Sequence, residues 1–262
     1  MLQEEQGQPR YAEERHRRIV ELARGGGRVE VTALASSFGV SPETVRRDLA
    51  ALERQGALRR THGGAVPVER LWFEPEVAER LVTMPEEKAR IARAALRFVP
   101  SQGVILLDAG TTTGALAELL PAGRDLTVVT NGLPIATVLA ASPSITVYVA
   151  GGRVRGRTLA AVDDFAARFI EDLAPEVTFI GTNGVIAGRG LMTPDPAEAT
   201  VKRAMIRSGR RVILLADHTK FGREHFVRFA EIGDIDVLVT DSGLGDDTAQ
   251  EFEAAGVEVV RA

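Results

Sequence analysis

Beyond about residue 86 the chain repeats one pattern: a short, nearly unbroken apolar run, a polar loop, then apolar residues at helical spacing. The runs cover residues 104–107, 126–129, 145–149, 177–180, 212–215, 237–239 and 257–260. Strands that are apolar on both faces and separated by helices predict a mainly parallel sheet with helices on both sides. A helix carrying Ile91, Ala94, Ala95 and Phe98 precedes the first run. Residues 126–152 hold no charge, yet Thr130, Asn131, Pro134, Ser142, Pro143 and Ser144 break them into strand, turn, helix, turn and strand. That window therefore reads as buried core and not as a membrane span.

The first 66 residues follow another rhythm. Ile19, Leu22 and Ala23 predict a helix over 11–24, stopped by Gly25-Gly26-Gly27. Val29 and Val31 alternate around Glu30 as in a short strand, and Thr32 is placed to cap a second helix, with Leu34, Ala35 and Phe38, that Gly39 ends. Ser41-Pro42 opens a third helix, serine as N-cap and proline in the first turn. Two helices about a tight turn at Gly39-Val40 have helix-turn-helix spacing. On the third helix Val45, Leu49 and Leu52 form the packing stripe, with Glu43, Arg47, Ala50 and Arg54 opposite and Arg46 at the edge. The N-terminal part of such a helix enters the DNA major groove, which would place Ser41, Glu43, Thr44, Arg46 and Arg47 there. Residues 58–66 read as a hairpin with a glycine turn, a wing whose basic residues Arg59, Arg60 and His62 would follow the DNA backbone. The other reading of 10–66 is a three-helix protein-interaction module with solvated arginines.

Charge sharpens this division. The 262 residues carry a net −4, which taken whole argues against nucleic-acid binding. Residues 10–66, however, hold eleven arginines and seven acids, whereas 67–262 hold 21 basic and 27 acidic residues. A small basic module joined to a larger acidic one follows, divided as 10–68 for DNA, 69–85 as linker and 86–262 for the α/β domain. Zero cysteines exclude a disulfide scaffold, an iron–sulfur cluster and a cysteine nucleophile, and four scattered histidines make a metal site unexpected. No cofactor is expected. The polar first ten residues lack the apolar stretch of an export signal, so a cytoplasmic protein without membrane contact is expected.

Ligands of parallel sheets bind beyond the carboxyl ends of the strands. After the first run stands Asp108-Ala109-Gly110-Thr111-Thr112-Thr113-Gly114, where amides and hydroxyls at a helix start suit a phosphate; an ordinary threonine-capped turn is the alternative. Neither a Walker loop nor G-x-G-x-x-G is present. Other polar strand ends are Thr130-Asn131-Gly132, Gly151-Gly152-Arg153, Gly181-Thr182-Asn183-Gly184 and Asp217-His218-Thr219-Lys220. Glu198 and Lys202, four apart on a predicted helix, are either a surface ion pair or site groups. Of 32 basic residues only Lys88, Lys202 and Lys220 are lysine, and the last two fall where a site is expected. A site that needs a compact ammonium would keep lysine where the rest of the chain uses arginine.

Three stretches of the first module, Arg15-His16-Arg17-Arg18-Ile19, Val40-Ser41-Pro42-Glu43-Thr44-Val45-Arg46-Arg47-Asp48-Leu49 and Leu58-Arg59-Arg60-Thr61-His62-Gly63-Gly64-Ala65, closely resemble the signature of the DeoR family of bacterial transcriptional regulators. In the second module, Leu107-Asp108-Ala109-Gly110-Thr111-Thr112-Thr113, Phe179-Ile180-Gly181-Thr182-Asn183-Gly184 and Ala216-Asp217-His218-Thr219-Lys220-Phe221-Gly222 resemble its effector domain. The resemblance implies a winged helix-turn-helix on operator DNA and an α/β domain similar in fold to sugar-phosphate isomerases, sensing a phosphorylated sugar without catalysis. It carries over Asp108, Gly110, Thr111, Thr112, Asn131, Glu198, Asp217 and Lys220 as effector-site candidates, to which the strand ends add Thr113 and Gly152 and the scarcity of lysine adds Lys202. Asp48 is assigned to holding a neighbouring arginine, since a carboxylate facing phosphate would repel. A repressor acting as a homodimer or homotetramer is expected, because paired half-sites multiply specificity. Two departures stand out: Gly132 where the family usually has serine, and Asp163-Asp164 where a Gly-Pro pair is usual. The second would weaken anion binding unless the carboxylates face solvent or bind sugar hydroxyls. The competing reading is a sugar-phosphate isomerase using Asp108, Glu198 or Asp217 as acid–base group with Lys220 on the phosphate.

Overall fold

The computed structural model describes residues 12–26, 28–54, 57–61, 63–67, 74–121 and 123–262. The chain divides into two compact units, Met1–Arg70 and Leu71–Ala262.

In the first unit α1 (Ala12–Gly26) is followed by β1 (Val29–Glu30), α2 (Val31–Phe38), α3 (Pro42–Arg54), β2 (Leu58–Thr61) and β3 (Gly64–Pro67). Its core is Ile19, Ala23, Val31, Leu34, Phe38, Val45, Leu49, Leu52 and Leu58, so the expected stripes of all three helices meet, apart from the exposed Leu22. Gly39 ends α2 in the left-handed conformation (φ 63°), which glycine adopts without a Cβ clash. The wing is an antiparallel hairpin, β2 on β3, and β1 joins its far side in the order β1-β3-β2. One expectation fails: Thr32 caps nothing. The amide of Val31 is held by the Gly63 carbonyl at 2.9 Å, the helix begins at Val31, and Glu30 stands at its N-cap without a side-chain bond.

The second unit contains α4 (Val77–Val82), α5 (Pro85–Ala95), β4 (Gln102–Leu107), α6 (Thr111–Glu118), β5 (Asp125–Thr130), α7 (Leu133–Ala140), β6 (Ile145–Val149), β7 (Arg153–Arg155), β8 (Ala160–Val162) and α8 (Asp163–Glu171). It continues with β9 (Val177–Ile180), β10 (Gly184–Ile186), β11 (Gly190–Thr193), α9 (Pro196–Ser208), β12 (Val212–Leu215), β13 (Val227–Ala230), β14 (Val237–Thr240), α10 (Asp246–Ala254) and β15 (Glu258–Arg261). All seven apolar runs enter one parallel sheet, ordered β15-β14-β12-β9-β4-β5-β6. The last strand is shifted one residue later than expected, at Glu258–Arg261. Leu106, Val129, Ile180, Leu214 and Leu238 pack under α8, α9 and α10, whereas Ile105, Leu107, Val128, Phe179 and Ile213 pack under α5, α6 and α7. Two small antiparallel sheets, β7-β8 and β10-β11-β13, were not evident from the sequence pattern. From β4 the chain moves outward through β5 and β6, then returns to lay β9 on β4's other side. The switch point of the sheet thus lies between β4 and β9, where a crevice opens beyond the strand ends. Among the described residues no helix is long and apolar enough to cross a membrane.

Candidate functional site

The crevice is lined by Arg80, Asp108, Gly110, Thr111, Thr112, Thr113, Gly181, Thr182, Asn183, Glu198, Lys202 and Lys220. Eight of these come from the expected effector set, separated by up to 112 residues in sequence and gathered by the strand order. Asp108 ends β4, and one of its oxygens, Oδ2, accepts from the Gly181 amide at 3.0 Å and from Lys202 Nζ. Lys202 also donates to the Gly181 carbonyl at 3.0 Å and lies over the Phe229 ring at 5.3 Å. These bonds tie the ends of β4 and β9 to α9. Glu198 and Lys202 thus turn to different partners: Glu198 Oε1 accepts from Arg155 at 2.5 Å and from Thr158 at 2.7 Å. Burial pushes the Glu198 carboxyl up, but the charges of Lys202 and Arg155 and bonds from Thr158 and Arg155 hold it below the usual carboxylate range.

The start of α6 is left open. Gly110 is its N-cap and offers no side chain to the first amides. Thr113 donates to the carbonyls of Asp108 at 2.6 Å and Gly110 at 3.0 Å, a structural task. Thr111 and Thr112, both buried, keep their hydroxyls without a partner among the described residues. Across the crevice stands Lys220, whose side chain is 18% exposed and whose nearest carboxylate oxygen, on Asp217, is 4.0 Å away. Burial lowers its pKa, with Arg80 and Arg223 pressing the same way and Asp217 opposing. Open amides, two hydroxyls and an under-compensated ammonium thus line one crevice, groups whose polarity suits an anion.

Three expected residues stand apart from this lining. Asn131 accepts from the Ala109 amide at 2.9 Å and donates to the Ala161 carbonyl at 3.0 Å, bracing the loops from behind. Asp217 Oδ1 accepts from the Thr219 amide at 3.1 Å and from its hydroxyl, capping a short 3-10 turn that aims Lys220. Gly152 has φ 134°, and a Cβ there would meet the Val162 carbonyl oxygen at 2.5 Å, so its glycine answers a backbone need. The departures resolve similarly. A Cβ on Gly132 would sit 3.0 Å from the Ala109 Cα, so this chain packs that loop too closely for an easy serine. Asp163 and Asp164 open α8 outside the crevice, Asp164 exposed and Asp163 paired with exposed Arg153 at 2.7 Å.

The sequence pattern missed a second layer. Glu74, fully buried, accepts from Arg155 at 2.8 Å and from Asn183 at 2.8 Å, and lies 3.5 Å from Arg80. Arg155 also meets Asp195 at 3.1 Å. Burial alone would lower the Arg155 pKa, but Glu198 and Glu74 raise it, so the guanidinium stays charged. Lys88 donates to the carbonyls of Thr83 at 2.6 Å and of Arg80, closing the end of α4; burial and Lys220 lower its pKa to about 8. Lysine scarcity was the available signal, and it applied to all three lysines. Next to the crevice, and sharing Arg80, Gly110 and Thr111 with it, lies an open cavity of about 400 Å³ lined by Val77, Leu81, Pro134, Ile135, Val138 and Leu159 among others.

In the first unit Ser41 Oγ accepts from the Thr44 amide at 3.1 Å and shares a 2.9 Å bond with the Thr44 hydroxyl, capping α3. Arg46 pairs with Glu43 at 3.3 Å, both exposed, and Arg47, Arg59 and Arg60 are exposed as well. Asp48 is buried and gripped by Arg15 (2.6 and 3.0 Å) and by His16 (2.9 Å), which fixes α3 against α1. Its hydrogen bond raises the Arg15 pKa. The arginine it holds comes from another helix, 33 residues earlier. His62 lies outside the described residues.

Residues 15–70 match the DeoR-like helix-turn-helix domain and residues 83–242 the DeoR C terminal sensor domain. The chain is 39% identical over 247 residues to the HTH-type transcriptional regulator GlpR of Haloferax volcanii, covering 94% of this chain and 96% of that one. It is 34% identical over 233 residues to the glycerol-3-phosphate regulon repressor of Escherichia coli, covering 87% and 90%. Among solved structures, the full-length sorbitol operon regulator SorC from Klebsiella pneumoniae aligns over 90% of this chain and 97% of that one, with 16% identity and a TM-score of 0.39. A ribose-5-phosphate isomerase in complex with phospho-erythronic acid aligns over 52% and 54%, with 20% identity and a TM-score of 0.39.

Proposed function

The chain belongs to the DeoR family of transcriptional regulators, and from that premise we propose that it represses sugar- or polyol-metabolism genes and leaves its operator when a phosphorylated sugar fills the crevice between β4 and β9. The observation that carries this reading is the uncapped α6 facing the half-buried, under-compensated Lys220. The phosphate would lie on the amides and hydroxyls of Thr111 and Thr112 with Lys220 opposite, and the neighbouring cavity leaves room for the body of the ligand. Arg46, Arg47, Arg59 and Arg60 would meet operator DNA.

The three acid–base candidates of the isomerase reading are each engaged by other groups. Asp108 is bound by Lys202 and Gly181, Glu198 by Arg155 and Thr158, and Asp217 by Thr219. A general acid or base needs a pKa near the working pH, and Glu198 is pushed the opposite way. The relatives are regulators, and this chain is one, not an enzyme.

Coupling would run through the segment that follows the DNA-binding unit in sequence. Glu74 presents a carboxylate to Arg80, Arg155 and Asn183, two of which line the crevice. An arriving phosphate competes with that carboxylate for Arg80 and thereby changes the hold on α4. A ligand shifts the DNA-competent state only by such differential binding. The test is a calorimetric titration of the protein with a panel of sugar and polyol phosphates and their unphosphorylated parents. One phosphorylated compound should bind, its parent should not, and Lys220→Ala should remove the heat. Equal binding by parent and phosphate would overturn the assignment.

A further inference from the structure

The two edges of the seven-stranded sheet are treated very differently. β15 at one edge carries Glu258 and Arg261, which are paired with Arg97 (3.0 Å), Arg211 (3.1 Å) and Asp246 (2.7 Å). Charged residues are a usual protection against strand-to-strand association. β6 at the other edge reads Ile145-Thr146-Val147-Tyr148-Val149, without charge or proline. The Ala150 amide points inward to the Thr130 carbonyl at 2.9 Å, so alternation along the ladder turns the amides of Val147 and Val149 outward. They find no acceptor among the described residues.

Exposed aromatic residues stand on the same side of the sheet, on β6 and on α8. Tyr148 pairs in register with Val129, so it lies on the sheet face that α8 and α9 cover, yet it is 52% exposed. On α8 the residues Ala166, Ala167 and Ile170 face the core, and Glu171 is paired with Arg207 of α9. Phe165 and Phe169 are four apart on the flank opposite Glu171, and so away from α9, and are 83% and 37% exposed. Asp163 beside them is neutralised by Arg153.

We infer that the β6 edge with Tyr148, Phe165 and Phe169 is the surface on which a second copy of this chain docks, its own β6 running antiparallel about a two-fold axis. A strand edge is self-complementary under that symmetry, and an isologous interface is what the commonest homodimers use. At 150–250 Å² per ring, the exposed parts of three rings amount to roughly 350 Å² on each copy and about 700 Å² on the two together. The strand edges carry the total toward the ~1,000 Å² that a specific interface needs. A second copy is also what a helix-turn-helix requires to read two half-sites. The surface lies apart from the crevice, so its assignment stands if the effector reading fails.

Sedimentation velocity of the full-length protein tests it. The wild type should sediment as a dimer or a multiple of one at micromolar concentration. Tyr148→Glu/Phe165→Glu sets like charges across the axis and should halve the assembled mass, raising the dissociation constant at least a hundredfold. Arg261→Glu, at the other edge, should leave the mass unchanged. Phe165 is exposed enough that Phe165→Glu alone keeps the fold, and hydrogen exchange gives a second readout. The Val147 and Val149 amides should be protected in the wild type and exchange rapidly in Phe165→Glu. A monomeric wild type, an unchanged mass in the double variant, or rapid exchange of both amides in the wild type would overturn the inference.

Discussion

Two helices of this chain begin in threonine-bearing turns, and they are finished in opposite ways. At α3 the hydroxyl of Ser41 closes the Thr44 amide, so the helix presents side chains, Arg46 and Arg47, to its surroundings. At α6 the N-cap is Gly110, the Thr113 hydroxyl turns back to two carbonyls, and the helix presents its own amides. A capped start displays an exposed, changeable face for reading a duplex, whereas an uncapped start keeps the positive end of the helix available for an anion. The surrounding charges agree: buried Asp48 is engaged by Arg15 and His16, while half-buried Lys220 is left 4.0 Å from the Asp217 carboxylate.

The most direct way to break the contrast is to give α6 the cap it lacks. Gly110→Asp places a carboxylate on the first amides, and Gly110 already has the extended backbone of an N-cap (φ −145°, ψ 159°). Phosphate-ligand affinity measured by calorimetry should fall by roughly a hundredfold or more, because two anions compete for one site. A Cβ at Gly110 would come 2.9 Å from the Thr113 hydroxyl oxygen, so that buried hydroxyl must shift and the melting temperature should fall by about 2–4 °C, the change that goes with roughly 1 kcal/mol. Lys220→Ala removes the opposing cation and should weaken the same ligand by about 10–100-fold, the range of a charged hydrogen bond, with unliganded DNA affinity unchanged. Arg47→Ala probes the other helix: operator affinity should drop by about 1–3 kcal/mol, or, if Arg47 meets phosphate, the salt slope should decrease by about one. Ser41→Ala uncaps α3 and should cost the first unit ~1 kcal/mol in urea unfolding.

The smallest expected effect is a pH dependence. Lys88 titrates at about 8 in the folded protein against 10.5 for an ordinary lysine. Between those values the unfolded chain holds more protons, so stability rises with pH across that window. The rise should be smaller in Lys88→Met, read from paired urea titrations at pH 8 and 10; equal slopes would remove Lys88 as its source.

Much of the sheet and the first-unit helices was legible because burial writes itself into periodicity. Seven apolar runs became seven strands, and the stripe Val45, Leu49, Leu52 became the inner face of α3. Strand ends followed from the same pattern, which is why Asp108, Gly110, Thr111 and Lys220 could be singled out before their convergence was visible. Glu74, Arg80 and Arg155 were not, since a buried ion network between a pre-helix segment, a short helix and a three-residue strand leaves no period. It exists only when residues 74 and 155, 81 positions apart, meet at 2.8 Å. Thr32 misled for a related reason: a backbone bond from Gly63, a non-local contact, sets the start of α2.

The central claim is that occupancy of the open α6 start alters operator binding. Fluorescence anisotropy of the full-length protein on DNA from its own upstream region, titrated with sugar and polyol phosphates, tests it most directly. Salt-sensitive binding that one phosphorylated compound releases in the wild type, and fails to release in Gly110→Asp, is the expected result. Release that persists at the same ligand concentration in Gly110→Asp would contradict the account.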